Sequence, residues 1–352
     1  MKKILLSLFA LCAATSLWAY DFQSGLLYYN TLSDSTVEVT YRLTSGNNYS
    51  DLKAVTIPET VTYNGKIYTV VAIGSKAFAT YPSSTSTPSA YDNATLKLIN
   101  IPKTVKIIHP YAFFKCSALT TVNFLGDGLT TIGDDAFYDC SALTSFAFPQ
   151  TLKTIDSNAF YDSALAGSVT IPDNVTSIGE YAFYSTNMVS LTIGNAVHTI
   201  GASAFAFCAN LNSVIVGNAV RSISSSTFSS CTKLTSVTLG NSVATIGSSA
   251  FSSCTSLPSI TLPKSVKSVE AGAFASCSKL TTVYLKPTTP PAFTNTNILP
   301  SSAKTFYVPC GTSETYFLSD WVNFTTNFQE EECIKKYTIY VNQDCTSSVV
   351  EE

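Results

Sequence analysis

A phenylalanine returns along most of this chain at a near-constant interval, and that recurrence constrains the fold more than any other feature. Phe78, Phe113, Phe137, Phe160, Phe183, Phe205, Phe228, Phe251 and Phe274 each follow Ala or, once, Thr227. Successive spacings are 35, 24, 23, 23, 22, 23, 23 and 23 residues. A clean unit, LTSVTLGNSVATIGSSAFSSCTS, runs from Leu234 to Ser256 and follows the pattern L-x-x-V-x-L-G/P-x-x-V-x-x-I-G-x-x-A-F-x-x-C-x-x. A fixed period of this size is the mark of a stacked array in which no unit folds alone.

The unit can be read residue by residue. Val237 and Leu239 alternate with Ser236 and Thr238, and period two means a strand with one face inward. Pro or Gly then ends the strand, as at Pro102, Pro149, Pro172, Gly194, Gly217, Gly240 and Pro263. Val243 and Ile246 turn inward again, and Gly247 is expected to take a backbone angle closed to other residues. Ala250-Phe251 begins the return on the convex side, as a turn or short 3₁₀ segment with the Phe ring inward. Stacking makes Leu meet Leu and Phe meet Phe. The strands should therefore form one long parallel sheet, with about nine rungs at roughly 4.8 Å each. The period and the L-x-x-L-x-L core match a leucine-rich-repeat solenoid. Twelve extra residues between Phe78 and Phe113 include Tyr81–Tyr91, rich in Ser, Thr and Pro, which reads as an edge loop. The unit before Phe205 is one residue short, at Met188–Ile193.

The expected divisions are an export signal at 1–19, a β-rich N-terminal cap with the first strand at 20–75, repeats at 76–285, a C-terminal cap at 286–334, and a tail or the start of a further domain at 335–352. Lys2 and Lys3, apolar Ile4–Ala14 and Leu17-Trp18-Ala19 read as a secretory signal cleaved after Ala19. A lipoprotein signal at Cys12 is the lesser reading, because Leu11 before it is bulky. No second long apolar run follows, so no transmembrane segment is expected. In the N-terminal cap, Asn64-Gly65 between strand-like runs is a hairpin signal. In the C-terminal cap, Thr305–Val308 resembles one more strand. Thr312–Trp321 suggests a short helix capped by Thr312 or Ser313, presenting Tyr316, Phe317 and Trp321. The strand-like run at Lys336–Val341 stops in Thr346–Glu352.

Composition bears on function mainly by exclusion. Removing Lys2 and Lys3 takes the formal charge from −3 to −5, and Arg42 and Arg221 are the only arginines. A nucleic-acid partner needs a basic face, which is missing. Cys116, Cys140, Cys208, Cys231, Cys254 and Cys277 lie three residues after a repeat Phe, with Ser163 and Thr186 in the same place in two units. That regularity reads as a buried ladder rather than a metal site, whose ligands come in close pairs. A disulfide ladder is the alternative, disfavoured because in-register side chains point the same way. Cys310, Cys333 and Cys345 break the period, and a Cys310–Cys333 bridge is the candidate disulfide for the C-terminal cap. His109 and His198 are the only histidines. Asp127, Asp134 and Asp135 cluster without the Gly and terminal Glu of a calcium loop. No nucleophile elbow, zinc-binding helix or phosphate loop occurs, so neither catalysis nor a cofactor or metal is expected.

What remains is the outward side of the strands, the expected concave face. Its candidate binding residues are Asn100, Thr121, Asn123, Ser145, Thr170, Ser190, Thr192, Ser213, Ser236, Thr238, Ser259, Thr261, Thr282 and Tyr284. The face is neutral, short-chained and hydroxyl-rich. It suits a broad, shallow contact whose strength comes from many copies, or simply a soluble sheet face.

Ile101-Pro102, Ile171-Pro172, Ile132-Gly133, Ile178-Gly179, Ile246-Gly247 and the Ala-Phe pairs closely resemble the BspA-like (Treponema pallidum-type) leucine-rich repeats. Tyr20-Asp-Phe, Val55–Val61 and Tyr307–Gly311 resemble segments flanking those repeats in secreted Bacteroidetes proteins. The resemblance implies a secreted or cell-surface protein, with adhesion to host matrix or other bacteria in some members and no catalytic residues to carry over. Asp162-Ser163-Ala164 and Asp34-Ser35-Thr36 resemble a short O-glycosylation motif of such bacteria. The expected function is non-catalytic binding of a protein or glycan on a host or bacterial surface. The alternatives are a spacer presenting a downstream domain and, least favoured, a hydrolase.

Overall fold

The computed structural model describes residues 20–41, 49, 51–80, 93–293, 295–331, 337–341 and 347–351. The signal at 1–19, the insertion at Tyr81–Tyr91, Cys333 and Cys345 lie outside the described residues. The repeats coil into a parallel β-solenoid of about ten turns with little helix. Its core is one continuous apolar cluster from Phe22 to Trp321.

Each turn carries three stacked segments. The first is the longer strand of the L-x-x-V-x-L half. These strands form not one sheet but three: Ala54–Thr56, Leu98–Pro102 and Thr121–Leu125; then Ala166–Ile171, Asn187–Ile193, Ser213–Ile215 and Ser236–Thr238; then Ser259–Leu262, Thr282–Leu285, Thr305–Val308 and Phe328–Glu330. The first gap has a packing cause. Phe146 and Phe148 fill inward positions that hold Val and Leu in the Leu234 unit. They wedge edge-on against Phe137 and Phe160 at 4.9–5.5 Å, and residues 143–149 form no strand, although the Ala166 N–H still donates to the Thr144 carbonyl at 3.0 Å. The second gap falls between Ser236–Thr238 and Ser259–Leu262.

The second segment is a narrow parallel ladder of two-residue strands at the x-Ile positions, such as Thr131–Ile132, Thr154–Ile155 and Ser177–Ile178. Strands this short leave no alternation to read in a sequence. The glycine after them is needed for close approach and not for its dihedral angle. A Cβ on Gly247 would lie 2.8 Å from the Ile223 carbonyl oxygen, and its φ is not positive.

The third segment is the turn around each repeat Phe. Odd and even N–H groups divide their partners. Tyr111, Phe113 and Lys115 donate to the Asp134, Ala136 and Tyr138 carbonyls of the next turn at 2.8–2.9 Å. Ala112, Phe114 and Cys116 donate within the turn to His109, Tyr111 and Phe113 at 3.1–3.3 Å. This alternation needs left-handed residues at both ends, here Tyr111 at φ 62° and Lys115 at φ 53°. Asp135, Asp139, Asn158 and Asp162 take those places in the next two turns, the residue types that tolerate this region best. Among the described residues a 3₁₀ segment occurs on this side only in the last repeat, at Thr296–Ile298, where Ile298 accepts from Phe274.

The repeat rings form one column. Phe78 to Phe274 stack with centroids 4.9–5.5 Å apart. Tyr49 extends the column by a tenth ring, 5.0 Å from Phe78. Its buried hydroxyl accepts the Tyr28 N–H and donates to the Thr40 carbonyl. Asn64 and Gly65 both have positive φ (49° and 76°) between Thr60–Tyr63 and Lys66–Ile73, as a type I′ hairpin requires.

Backbones approach closely where turns stack Gly on Gly. A Cβ on Gly217 would sit 2.2 Å from the Gly194 carbonyl oxygen. Gly217→Ala is therefore expected to cost about 1–3 kcal/mol as overpacking against backbone, read as a lowered denaturation midpoint.

Beyond Phe274 the solenoid makes one more turn than the Phe spacing reveals. Ala292–Phe293 pairs with Ser268–Val269, and Thr305–Val308 with Thr282–Leu285, while Leu299 follows Phe274 where a ring would be. The cap helix spans only Ser313–Phe317. The Thr312 hydroxyl donates to Pro309 rather than capping it, and Phe317 points outward. Tyr316 and Trp321 close the end instead, donating to the Pro287 and Pro291 carbonyls at 2.7 Å.

Glu330 ties down the same cap. The Ser313 hydroxyl and then the Gly311 and Ser313 N–H groups, both at 3.0 Å, hold its carboxyl down from the ordinary 4.5 to about 2. A carboxyl depressed on folding stabilises above its unfolded pKa, and that contribution is lost as pH falls through the folded one. The cap is expected to loosen between about pH 4.5 and 2, followed by Trp321 fluorescence. Glu330→Gln should remove that dependence. Past the cap, Tyr337–Val341 pairs antiparallel with Ser347–Glu351. The second of these strands occupies residues whose sequence reads as the end of a run.

Candidate binding surface

All fourteen candidate residues stand on the outward side of the long-strand stack, and none is buried. Period two sets this. Along Asn187–Ile193, Met188, Leu191 and Ile193 are buried while Asn187, Val189 and Thr192 are exposed. Register turns the outward residues into columns. Asn123 lies beside Asn100, Ser168, Ser190, Ser213 and Ser236 form one column, and Thr170, Thr192, Ile215 and Thr238 form the next. Ser259 faces Thr282, and Thr261 faces Tyr284. Ser145 is exposed in the turn that forms no long strand.

Some neighbours along a column satisfy one another. Asn123 donates to Asn100 at 3.0 Å, Asn100 to Thr56 at 2.8 Å and Ser190 to Ser168 at 2.8 Å. The surface is thus a row of short donors and acceptors one turn apart. It matches repetitive, hydroxyl- or amide-bearing ligands better than a single deep anchor. Two features escape the sequence reading. Tyr307 extends the last column, stacked on Tyr284 at 5.0 Å, and its signal is the echo of Thr282-Val-Tyr-Leu in Thr305-Phe-Tyr-Val. On the turn side, Phe114, Tyr138, Tyr161, Tyr184 and Phe207 form a second aromatic ladder at 4.7–5.1 Å. The first four follow a repeat Phe directly and Phe207 comes two residues after Phe205, a pattern legible once the register is known.

The cysteine ladder is structural. All six repeat cysteines are buried. Each Sγ donates to a Phe carbonyl of an adjacent turn, from Cys277 to Phe251 at 3.0 Å up to Cys116 to Phe78 at 3.6 Å. Burial pushes the Cys208 thiol up to about 11 and raises Cys231 as well. Because all six thiols are buried, a disulfide-type thiol reagent at neutral pH is expected to label none of them in the folded protein and all six in denaturant. Ser163, in the ladder position, is 1% exposed with no partner for its hydroxyl, so it is closed to glycosylation. Cys310 is disulfide-bonded, while its candidate partner Cys333 lies outside the described residues.

The remaining chemistry-bearing residues have local roles. Asp134 accepts the Ser157 N–H at 2.9 Å. His109 lies 3.8 Å from Glu38 and His198 is exposed. Among the described residues no three His, Cys, Asp or Glu side chains gather as metal ligands, and no helix is long and apolar enough to cross a membrane.

Fold and surface together define a leucine-rich-repeat solenoid. The model of the BspA-type leucine-rich repeat region matches residues 84–212 and 198–299, in six copies and over more than half of the chain. The chain belongs to that family. No curated protein matches it. Similar solved structures include a leucine-rich repeat protein of Bacteroides ovatus, 25% identical, covering 89% of this chain and 100% of that one, TM-score 0.40. A leucine-rich cell surface protein of Faecalibacterium prausnitzii is 21% identical, covering 89% and 95%, TM-score 0.41. The Treponema pallidum leucine-rich repeat protein is 26% identical, covering 67% and 90%, TM-score 0.45.

Proposed function

We propose that this chain is exported and acts without catalysis as a binding protein at the cell surface, adhering to protein or glycan macromolecules of a host or of other bacteria. The observation that carries the reading is the outward long-strand face, where the candidate residues stand in register, unburied, as columns of repeating donors and acceptors. Many weak, equivalent contacts along such columns add up through effective concentration. The Met1–Ala19 signal supports export, and a Cys310–Cys333 bridge suits an oxidising destination. The test is direct binding of the purified protein to immobilised matrix proteins, mucins and whole bacteria. Saturable capture by at least one surface is expected. Absence of capture across the panel would remove the reading.

A further inference from the structure

The long-strand sheet opens between Ser236–Thr238 and Ser259–Leu262, where no main-chain hydrogen bond crosses. Two prolines cause the opening. In the preceding turn Thr235 donates its N–H to the Asn212 carbonyl at 2.8 Å. The equivalent residue here is Pro258, which has no N–H to give. At the other end of the strand the column Gly194–Gly217–Gly240 packs so closely that a Cβ on Gly240 would lie 2.3 Å from the Gly217 oxygen. Pro263 comes next, and its ring bars an equal approach. The bond from Val216 to the Thr238 carbonyl, at 2.9 Å, has no counterpart from Leu239 to Thr261.

The result is a cleft of about 640 Å³, within the ~300–1,000 Å³ typical of small-ligand sites. Val237 and Leu239 make an apolar floor, and Val237 is half-buried where its counterparts Val214 and Ile260 are 1% exposed. Thr238 and Thr261 set hydroxyls on the two walls. Asn241 ends a ladder in which each Asn accepts the next turn's N–H, at 3.1 Å from Asn218 and from Asn241, so its own side-chain amide is left at the cleft mouth. Lys264 and Lys286 both line the rim, in a chain that is acidic overall. Lys286 is ion-paired with Glu331, whereas Lys264 makes no ion pair among the described residues. Beyond Thr261, one turn from the cleft, Tyr284 stacks on Tyr307, with the Lys286 ammonium 5.9 Å from its centroid.

We propose that this cleft binds a carboxylated sugar, the acidic residue of a surface glycan. Its carboxylate would meet Lys264, its hydroxyls Asn241 and the threonines, and its apolar ring face the floor of Val237 and Leu239. Charge-assisted bonds to the carboxylate set the preference for acidic over neutral sugars. This rests on the surface-binding reading and gives it a ligand class at one place.

The test is titration of the purified full chain, by calorimetry and saturation-transfer NMR, with N-acetylneuraminic acid, glucuronic acid and neutral N-acetylglucosamine. Saturable binding of at least one acid is expected, at least about tenfold tighter than the neutral sugar and weakened about tenfold by Lys264→Met. Lys264 is exposed, so the fold should tolerate this change. The pair Pro258→Thr with Pro263→Gly restores the residues of the preceding turn, should close the cleft, and should abolish binding without lowering the denaturation midpoint. Equal binding of neutral and acidic sugars, indifference to Lys264→Met, or no binding of any sugar would each overturn the assignment. Loss of the sugar result with surface capture intact sinks the cleft alone. Loss of capture sinks the wider reading.

Discussion

Replacing Phe160 with Ala is expected to cost the solenoid about 3–5 kcal/mol, the range for deleting a fully buried aromatic ring. Phe160 is 0% exposed. It lies between Phe137 and Phe183, stacked on each at 5.2 Å, and meets Phe146 and Phe148 edge-on at 4.9 and 5.5 Å. Both inter-turn interfaces of its repeat lose contact at once. In a one-dimensional array, stability is close to a sum of repeat and nearest-neighbour terms, so a mid-array loss weakens the coupling between the two halves. Denaturant unfolding followed by circular dichroism measures it. A loss below about 1 kcal/mol would mean that the ring column does not carry the stacking.

Trp321→Ala should have an effect of similar size and different reach. Trp321 is 1% exposed, donates to Pro291 at 2.7 Å, and meets the rings of Phe293 and Phe324 at 5.6 Å. Its removal opens a cavity, about 3–5 kcal/mol, and leaves the Pro291 carbonyl without its donor. Because turns contact only their neighbours, the array should fray from this end. Amide exchange at Thr305–Val308 should accelerate strongly while Thr131–Ile132 stays protected. Uniform acceleration would contradict a linearly coupled stack.

These two residues also mark what could be read from the sequence. Phe160 announces itself by its period, and with it come the strand, the inward Val and Leu positions, and the outward face by alternation alone. The cysteine ladder followed from the same register. Other features had no such signal. Thr131–Ile132 is too short to alternate, so the second parallel ladder was invisible. The left-handed Asp135 and Asn158 are set by how N–H groups divide between and within turns, which no residue pattern displays. Leu299 replaces the repeat Phe after a proline-rich stretch, so the last turn hid inside what looked like a cap. The gap beside Pro258 arises from two turns meeting, Gly240 against Pro263, and a single-chain pattern does not show which residues meet.

The functional claim is most directly tested on the columns themselves. Binding to the surface panel can be compared between the wild-type chain, a variant carrying Thr170→Arg, Thr192→Arg and Ser213→Arg on the long-strand face, and a control carrying Ser229→Arg, Ser252→Arg and Ser203→Arg on the turn side. All three should fold alike by circular dichroism. The account predicts capture of the wild type and of the control, with capture lost in the long-strand variant. Capture that survives in the long-strand variant and disappears in the control would place the functional surface on the turns and contradict the account.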